Sequence, residues 1–385
     1  MRITGYRVLK TVHDWGRPVG DVNGVVSSGI TEVPVVLVST DVGLTGVGLG
    51  SDTGLADVFG AIEGEDPRAV TSLYDRMINW VFKTGHAGQI FGAIGALDMA
   101  LWDLKAKAAE TPLWRLLGGR DRVVPGYASG LDAALSDEEL ITLQESFAER
   151  GFRATKLKGG LDPLTDRRRL RIAQEVLRDA SVAAPALMLD ANEVWSRKQA
   201  IRHVTMLESE FDLTWVEEPV RRWDVDGHRA VSRAVRAGVA SGENLTGLEQ
   251  FRPLLKDAAV DIVQTGSVWG VTHFLRVAAL AHAFDLPISP VAYNANPLAH
   301  AATSIPNHLA SEVQTLSFPV GLQVDQTFED GSIVLGEAAG LGITIDEERI
   351  AQHGVECPSW AGVNGPHVRP ERAGKRLLAE PNLSP

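Results

Sequence analysis

The run Ala154-Thr155-Lys156-Leu157-Lys158 places two lysines two residues apart in a short stretch of strand-like sequence. Successive side chains of a β-strand point to opposite faces, so Lys156 and Lys158 would share a face with their ammonium groups close together. Repulsion from Lys156 and partial desolvation would lower the pKa of Lys158 towards neutrality, where a lysine can accept a proton. The run is a candidate catalytic base, although alternate lysines also occur on solvated sheet faces.

This run is one of eight short strand candidates that alternate, after Gly119, with amphipathic helical segments of ten or more residues. The strand candidates are residues 124–128, 154–158, 187–192, 215–219, 239–244, 261–266, 287–292 and 310–314. Repeated β-then-α units predict an α/β fold. The number of units favours a (β/α)₈-type barrel, or its (β/α)₇β variant, over an open doubly wound sheet.

The sequence before the barrel pattern has a different spacing of apolar residues. Residues 33–50 predict an antiparallel meander with glycine at the turns, and apolar spacings of three and four predict helices from about residue 67. We therefore predict an N-terminal α+β domain at 1–123, a barrel domain at 124–325 and a C-terminal segment at 326–385. We expect the C-terminal segment to pack back on the N-terminal domain and to become an irregular tail from about residue 351.

The composition argues against several classes of function. A net charge of -12 over 385 residues is unsuited to a nucleic-acid surface, which needs clustered basic residues. No apolar run reaches membrane-spanning length, and the N-terminus lacks the pattern of a secretion signal. The single cysteine, Cys357, is compatible with a reducing compartment. We therefore expect a cytoplasmic protein that binds neither nucleic acid nor membranes.

Three consecutive strand candidates end in a carboxylate, namely Asp190, Glu217 and Glu243. Each acid alone could cap the helix that follows its strand. In a barrel, however, the carboxyl ends of neighbouring strands form one rim, so the three carboxylates would converge. Repulsion would keep at least one of them protonated unless a hard cation binds, and oxygen ligands with water select Mg²⁺.

Four motifs occupy the ends of consecutive strand candidates: Lys156-Leu157-Lys158, Leu189-Asp190-Ala191-Asn192, Trp215-Val216-Glu217-Glu218-Pro219 and Ser241-Gly242-Glu243-Asn244. Together with residues 96–103 and 340–343, they resemble the mandelate racemase-like branch of the enolase superfamily. The resemblance implies that residues 1–123 cap the barrel. It also implies one Mg²⁺ per subunit, bound by Asp190, Glu217 and Glu243, which holds the carboxylate of a small-molecule substrate. Lys158 would remove the proton from the adjacent carbon through an enediolate.

The resemblance assigns roles to further residues. Lys156 would lower the pKa of Lys158 and contact the substrate carboxylate, and Asn192 would lie near the metal ligands. Glu312, which ends the eighth strand candidate, matches an acid that hydrogen-bonds the substrate or intermediate. Of the adjacent acids Glu217 and Glu218, the first matches the metal ligand. The family also implies a symmetric homo-oligomer, from dimer to octamer.

The sequence departs from this family pattern on the face opposite the lysines. The branch usually carries an Asp at the end of the sixth strand and a His at the end of the seventh. Here Gly266 and Val291 occupy these positions, so the dyad is missing. A two-base racemisation needs proton donors on both faces. A one-base dehydration or cycloisomerisation remains open, with Lys158 acting as base and then as acid.

Other residues are candidates for the acid on the opposite face or for substrate contacts. Tyr293 follows the seventh strand candidate, and His86 lies in the N-terminal region. The early loop at 11–21 contains His13, Trp15 and Arg17, which suit a hydroxyl-bearing or second-carboxylate substrate. Histidines at such positions are also common as surface or structural residues.

These motifs lead to one principal hypothesis and two alternatives. The principal hypothesis is a Mg²⁺-dependent lyase, a dehydratase of a sugar acid or related hydroxy acid, with Lys158 as base. The first alternative is an isomerase of the same superfamily, either a cycloisomerase or an epimerase or racemase. The second is a non-catalytic protein that binds Mg²⁺ and an acid sugar, but such a protein has no need for the lysine pair.

Overall fold

The computed structural model describes residues 1–353, and the predicted irregular tail lies, from residue 354 onward, outside the described residues. The N-terminal domain begins with antiparallel strands joined by glycine-containing turns. These strands are β1 (Ile3–Asp14), β2 (Val19–Asp21), β3 (Gly24–Val26), β4 (Ile30–Thr40) and β5 (Thr45–Leu49). The long strands pair in the order β1-β4-β5, whereas β2 and β3 form a separate hairpin.

Four helices complete the N-terminal domain: α1 (Leu55–Phe59), α2 (Val70–Trp80), α3 (Gln89–Ala108) and α4 (Leu113–Leu116). Glycines on β5 let the sheet approach the backbone of α3 closely. A Cβ at Gly48 would lie 1.9 Å from the carbonyl oxygen of Ala96, and one at Gly46 would lie 2.2 Å from that of Ala100. Only glycine fits these positions, so the sheet and α3 form one layered unit.

The barrel consists of eight parallel strands, as the alternating pattern predicts. They are β6 (Val123–Ser129), β7 (Ala154–Lys158), β8 (Ala186–Asp190), β9 (Leu213–Glu217), β10 (Gly238–Ser241), β11 (Ile262–Gly266), β12 (Ile288–Val291) and β13 (Ser311–Val313). Strands β6 to β12 are neighbours in chain order, and β13 pairs with β6. A parallel bridge between Ile288 and His308 brings the two ends of the sheet together. The predicted barrel and its N-terminal α+β domain are confirmed.

A helix follows each of the first seven barrel strands. These helices are α5 (Asp137–Ala148), α6 (Pro163–Asp179), α7 (Arg197–Leu207), α8 (Val225–Ser232), α9 (Leu248–Lys256), α10 (Val271–His282) and α11 (Ala299–Ala302). A short 3₁₀ turn at Ser267–Trp269 precedes α10. Between β13 and the next strand the described chain contains no helix, so the barrel has the (β/α)₇β form.

The C-terminal segment contacts both the barrel and the N-terminal domain. It contains β14 (Leu322–Val324), β15 (Gln326–Glu329), β16 (Ser332–Leu335), β17 (Ile343–Ile345) and α12 (Glu347–His353). Strand β16 pairs antiparallel with β6, which extends the barrel sheet. The amide of Leu341 donates to Asp103 of α3 at 2.7 Å, which ties the segment to the N-terminal domain. The bounds of the three predicted domains remain predictions.

An apolar layer fills the barrel interior below its carboxyl end. Its members are Tyr127, Met188, Trp215, Ala240 and Ile262, all buried. The polar residues of the candidate site lie directly above this layer, because inward-facing positions recur at every second residue of each strand. Among the helices of residues 1–353, none is both long and apolar enough to span a membrane.

Candidate active site

The parallel register of the barrel brings the predicted lysine and carboxylates to one rim. Lys158 lies opposite Asp190, which in turn lies opposite Glu217 on the next strand. Glu243 follows β10 by two residues, after Gly242, whose positive φ of 127° favours glycine. Each of the three carboxylates offers an oxygen within 4.8 Å of the others. The structure therefore places these four residues together.

The three carboxylates form a donor set that fits a hard divalent cation. Burial is the main cause that raises the pKa of Glu217 and of Glu243, each to about 8. Burial acts in the same direction on Asp190, but Lys158 and Lys156 outweigh it and lower the pKa of Asp190 to about 2. Close buried carboxylates thus resist ionising together, and a divalent cation would relieve this repulsion.

Lys158 is fixed at both its backbone and its side chain. Its backbone N–H donates to Asp132 Oδ1 at 2.8 Å, and its Nζ lies 2.5 Å from Asp190 Oδ2. Burial acts to lower the pKa of Lys158, but the attraction of Asp190 and other carboxylates raises it above its ordinary value. Repulsion from Lys156 is present but smaller. Lys156 therefore acts in the predicted direction, but the predicted net lowering of the pKa of Lys158 towards neutrality is wrong for this arrangement, because Asp190 contacts Lys158 directly.

Lys156 lies deeper than Lys158 and is surrounded by carboxylates. Its Nζ is 2.5 Å from Glu217 Oε1, 2.9 Å from Glu312 Oε1 and 3.5 Å from Asp190 Oδ2, and its side chain is completely buried. Burial opposes the charge, but these acids raise the pKa of Lys156 well above its ordinary value. Lys156 is therefore a fixed buried cation at the centre of an acidic cluster.

Glu217 receives donors from the barrel interior as well. Trp215 Nε1 donates to Glu217 Oε2 at 3.1 Å, and Gln264 Nε2 donates to the same oxygen at 2.7 Å. Sequence reasoning missed Gln264. Its position two residues before Gly266, on the same face of β11, was the available signal.

The other acids and amides near the rim are held by neighbouring loops. Glu312 Oε2 accepts from the amide of Ala292 at 2.9 Å and from Gln314 Nε2 at 3.1 Å. Asn192 has a positive φ of 42°, and its backbone N–H donates to Asp190 Oδ1 at 2.9 Å. Glu218 accepts from Asn244 Nδ2 at 3.0 Å. Glu312 therefore contacts Lys156 and Asn192 contacts Asp190, whereas their contact with substrate remains a prediction.

The ends of the sixth and seventh strands carry no side chain that can move a proton. Gly266 and Val291 are partners in the parallel register of β11 and β12. A Cβ at Gly266 would lie 3.1 Å from both Trp269 Nε1 and the carbonyl oxygen of Glu243. These two groups are hydrogen-bonded to each other at 2.5 Å. The indole of Trp269 thus crowds the space that a longer side chain at 266 would need.

The predicted substrate contacts of the early loop are largely engaged with protein groups. His13 is buried, with Nε2 3.0 Å from Ser317 Oγ and its ring stacked on Trp15 at a centroid distance of 4.6 Å. Trp15 Nε1 donates to Thr31 Oγ1 at 3.0 Å, and Arg17 donates to the carbonyl oxygen of Gly130. A substrate role for His13, Trp15 or Arg17 remains a prediction.

Two other candidates lie apart from these residues. His86 Nε2 is 2.5 Å from Glu249 Oε1. Tyr293 is 45% exposed, and partial desolvation and then the Glu243 carboxylate raise the pKa of its phenol. Tyr293 therefore lies within electrostatic reach of the carboxylate cluster, whereas the contacts of His86 place it beside α9.

The β2–β3 hairpin reaches over the rim, as the family resemblance implies for the loop at 11–21, and it places Asp21 there, which sequence reasoning did not single out. Gly20 N–H donates to the carbonyl oxygen of Leu131 at 2.9 Å, and Asn23 Nδ2 donates to that of Asn192 at 3.3 Å. Burial raises the pKa of Asp21, while the charge of Lys158 lowers it and that of Asp190 raises it. The hairpin therefore brings the carboxylate of Asp21 close to Lys158. No local sequence pattern gives this placement, because it depends on docking between domains.

Comparison with known proteins relates this arrangement to a family. Residues 139–349 match the family described as enolase C-terminal domain-like. Residues 22–118 match the N-terminal domain of the mandelate racemase and muconate lactonizing enzyme family. The two matches together cover most of the N-terminal domain and of the barrel.

Several characterised proteins are similar to this chain over most of its length. A 3,6-anhydro-alpha-L-galactonate cycloisomerase of Streptomyces coelicolor is 33% identical over 77% of this chain and 81% of the relative. An L-talarate/galactarate dehydratase of Salmonella typhimurium is 31% identical over 74% of this chain and 71% of the relative.

The crystal structure of a racemase from Streptomyces coelicolor with bound magnesium has a TM-score of 0.83 and 30% identity. The match covers 92% of this chain and 100% of that one. With its capped barrel, its rim of lysines and carboxylates and both domain matches, the chain belongs to the mandelate racemase and muconate lactonizing enzyme family of the enolase superfamily.

Proposed function

We propose that the protein is a Mg²⁺-dependent dehydratase of a sugar acid or related hydroxy acid, with Lys158 as the catalytic base. The observation that carries this proposal is the convergence of Lys158 with three carboxylates at one barrel rim. Family membership supports the Mg²⁺ chemistry, and the magnesium-bound racemase structure supports the choice of metal. The dehydratase relative supports the reaction class.

Asp190, Glu217 and Glu243 would hold the cation, because they present the oxygen donors that Mg²⁺ prefers. When bound, Mg²⁺ would supply a Lewis acid that stabilises negative charge on the substrate carboxylate. Lys156 lies 2.5 Å from Glu217, so its ammonium can donate to the substrate carboxylate, and Glu312, 2.9 Å from Lys156, holds the ammonium in place. The substrate would then present its α-carbon to Lys158.

Lys158 would carry out both proton transfers. Its neutral amine takes the proton from the α-carbon, and the electrons of that C–H bond form the enediolate. The resulting ammonium then gives its proton to the hydroxyl on the β-carbon, so that the C–O bond breaks and water leaves. The enol that remains tautomerises to a 2-keto acid.

Two features of the site affect these two proton transfers. Lys158 must first be neutral, and neutralising the Asp190 charge by ligation would weaken the ion pair that raises its pKa. The barrel face opposite the lysine ends in Gly266 and Val291, which offer no acid. Among the residues at the ends of β7, β11 and β12, Lys158 is then the available donor, so proton removal and loss of water should occur on the same face of the substrate.

The test is incubation of the protein with Mg²⁺ and a panel of sugar acids in D₂O, followed by NMR of the proton beside the carboxylate. Loss of this proton together with a 2-keto acid product would support the dehydratase. Exchange in the recovered substrate without net reaction would favour an epimerase. Absence of exchange and of product across the whole panel would contradict catalysis and favour a binding protein.

A cycloisomerase is the second candidate, because the Streptomyces coelicolor relative carries that activity and the one-base geometry is compatible with it. Lys158 would again exchange a proton beside the carboxylate, but no water would leave. Mass spectrometry separates the two reactions: a dehydratase product is lighter than its substrate by one water, whereas a cycloisomerase product has the same mass.

We also propose a cytoplasmic location and a symmetric homo-oligomer. The single cysteine suits a reducing compartment, and the family resemblance supports a symmetric assembly. Light scattering coupled to size-exclusion chromatography tests the assembly, and a mass equal to one chain would contradict it.

A further inference from the structure

The sixth barrel strand contributes to the site one layer below the rim. Gln264 on β11 is completely buried, and its Nε2 donates to Glu217 Oε2 at 2.7 Å. As a metal ligand in the proposed function, Glu217 is an ionised carboxylate, which only accepts hydrogen bonds, so the side-chain amide of Gln264 presents its nitrogen to Glu217. The strand that ends in Gly266 thus still reaches the charged cluster.

Three side chains donate to the carboxylate of Glu217, and two of them belong to the barrel interior. Trp215 Nε1 donates to Oε2 at 3.1 Å, next to Gln264, and Lys156 lies against Oε1 at 2.5 Å. Trp215 also forms part of the apolar layer of the barrel interior, so its indole has little freedom to move. The two oxygens of Glu217 together accept from three donors. Few rotations of the carboxylate would keep all three hydrogen bonds.

We propose that Gln264, together with Trp215, is a positioning residue that fixes the rotation of the Glu217 carboxylate towards Asp190 and Glu243. This inference rests on the proposed function, in which Glu217 is a metal ligand. Groups that hydrogen-bond a ligand from outside the coordination shell hold it in the geometry that the metal needs. Loss of such a group leaves the ligand free to rotate, and the metal is bound less tightly.

The side chain of Gln264 is poorly suited to a role that only stabilises the fold. Its Oε1 is buried without a hydrogen-bond partner among the described residues, and the residue lies just above an apolar layer. A buried amide with an unsatisfied oxygen costs free energy, and an apolar side chain of similar size removes that cost. The amide is useful here because it donates to Glu217.

The experiment is calorimetric titration of Mg²⁺ into the metal-free protein, with the wild type compared with Gln264→Met. We expect Mg²⁺ affinity to fall about 10- to 100-fold, as for other outer-shell groups. The midpoint of thermal unfolding of the metal-free protein should stay the same or rise. Trp215→Phe, which keeps the ring and removes the N–H, should weaken Mg²⁺ binding in the same direction.

The chain offers matched controls for both substitutions. Gln144 on α5 is completely buried, and both of its side-chain polar atoms lack hydrogen-bond partners among the described residues. Gln144→Met is therefore the same chemical change away from the site and should leave Mg²⁺ affinity unchanged. Trp102 is buried and donates to Thr272 Oγ1 at 2.9 Å, so Trp102→Phe is the control for Trp215→Phe.

Two results would overturn the inference, and they differ in what else they affect. If the wild type binds Mg²⁺, and Gln264→Met and Trp215→Phe bind it with the same affinity, the positioning role is refuted but the proposed function is not. If Gln264→Met does not fold, unchanged affinity in Trp215→Phe decides the same point. Absence of Mg²⁺ binding to the wild type would contradict the proposed function and this inference together.

Discussion

The two halves of the barrel mouth have the same backbone plan but different chemistry. On one half, strands β7 to β9 and the residues just after β10 present Lys158, Asp190, Glu217 and Glu243. On the other half, β11 and β12 end in Gly266 and Val291. Parallel strands in register bring side chains together equally well on both halves. The difference shows that the barrel sets where chemistry can occur, while single residues decide whether it does.

The charged half is stabilised by opposite charges that lie in contact. Lys156 contacts Glu217 at 2.5 Å and Asp190 at 3.5 Å, and Lys158 contacts Asp190 at 2.5 Å. Glu312 of β13, outside this half, also contacts Lys156 at 2.9 Å. Buried charges are costly unless they are paired, so removing one member should cost more than replacing an apolar neighbour. The opposite half contains no such cluster at its strand ends and should tolerate change within steric limits.

The largest effect should follow removal of the base. Lys158→Ala should reduce proton exchange beside the substrate carboxylate by about 10²- to 10⁴-fold, the range for a general base. Mg²⁺ binding, measured by calorimetry, should persist because all three carboxylates remain. Lys198 lies at an exposed position on α7. Lys198→Ala is therefore the control and should exchange the substrate proton at the wild-type rate. If Lys158→Ala exchanged the substrate proton at the wild-type rate, the charged half would not supply the base, and the two halves would not differ in this function.

Removing the deeper lysine should affect stability. Lys156→Met leaves Glu217 and Glu312 without their buried cation, which should destabilise the metal-free fold by about 3–5 kcal/mol. Urea unfolding with a chelator present measures this change. Lys10→Met is the control, because Lys10 is about half exposed and its partners Glu32 and Asp52 are partly exposed, so these pairs should contribute only about 0–1 kcal/mol. Equal losses in the two variants would mean that burial of Lys156 has no special cost.

The sequence predicts the charged half better than the opposite half. Alternation within β7 was enough to place Lys156 and Lys158 on one face, and strand order was enough to bring Asp190, Glu217 and Glu243 to one rim. These placements follow from backbone geometry, which local patterns determine.

Other features depend on contacts between distant side chains. The direct pairing of Lys158 with Asp190, which reverses the expected pKa shift, depends on the distance between two side chains. The crowding of Gly266 by Trp269, the Gln264 hydrogen bond and the docking of the β2–β3 hairpin likewise need three-dimensional packing. No pattern within one segment contains this information.

Restoring a side chain at the sixth strand should be disfavoured by packing. In Gly266→Ala the new Cβ would lie 3.1 Å from Trp269 Nε1 and from the carbonyl oxygen of Glu243. Overpacking of this kind costs about 1–3 kcal/mol, and Gly266→Asp should cost at least as much. Urea unfolding tests both variants. Val291→Ala is the control on the neighbouring strand and should not disturb the Trp269 hydrogen bond. Full stability of Gly266→Asp would show that an acid fits this half after all.

The smallest effect should come from Tyr293, an exposed phenol that follows β12 on the opposite half. If Lys158 both removes and returns the proton, Tyr293→Phe should change the rate of product formation by no more than about threefold, as for a surface change of about 0.5 kcal/mol. The ring keeps its packing in this variant, so any larger loss would come from the hydroxyl. A loss of product formation with normal proton exchange would identify Tyr293 as the acid for the leaving group. The opposite half would then take part in the chemistry through a loop residue and not through its strands.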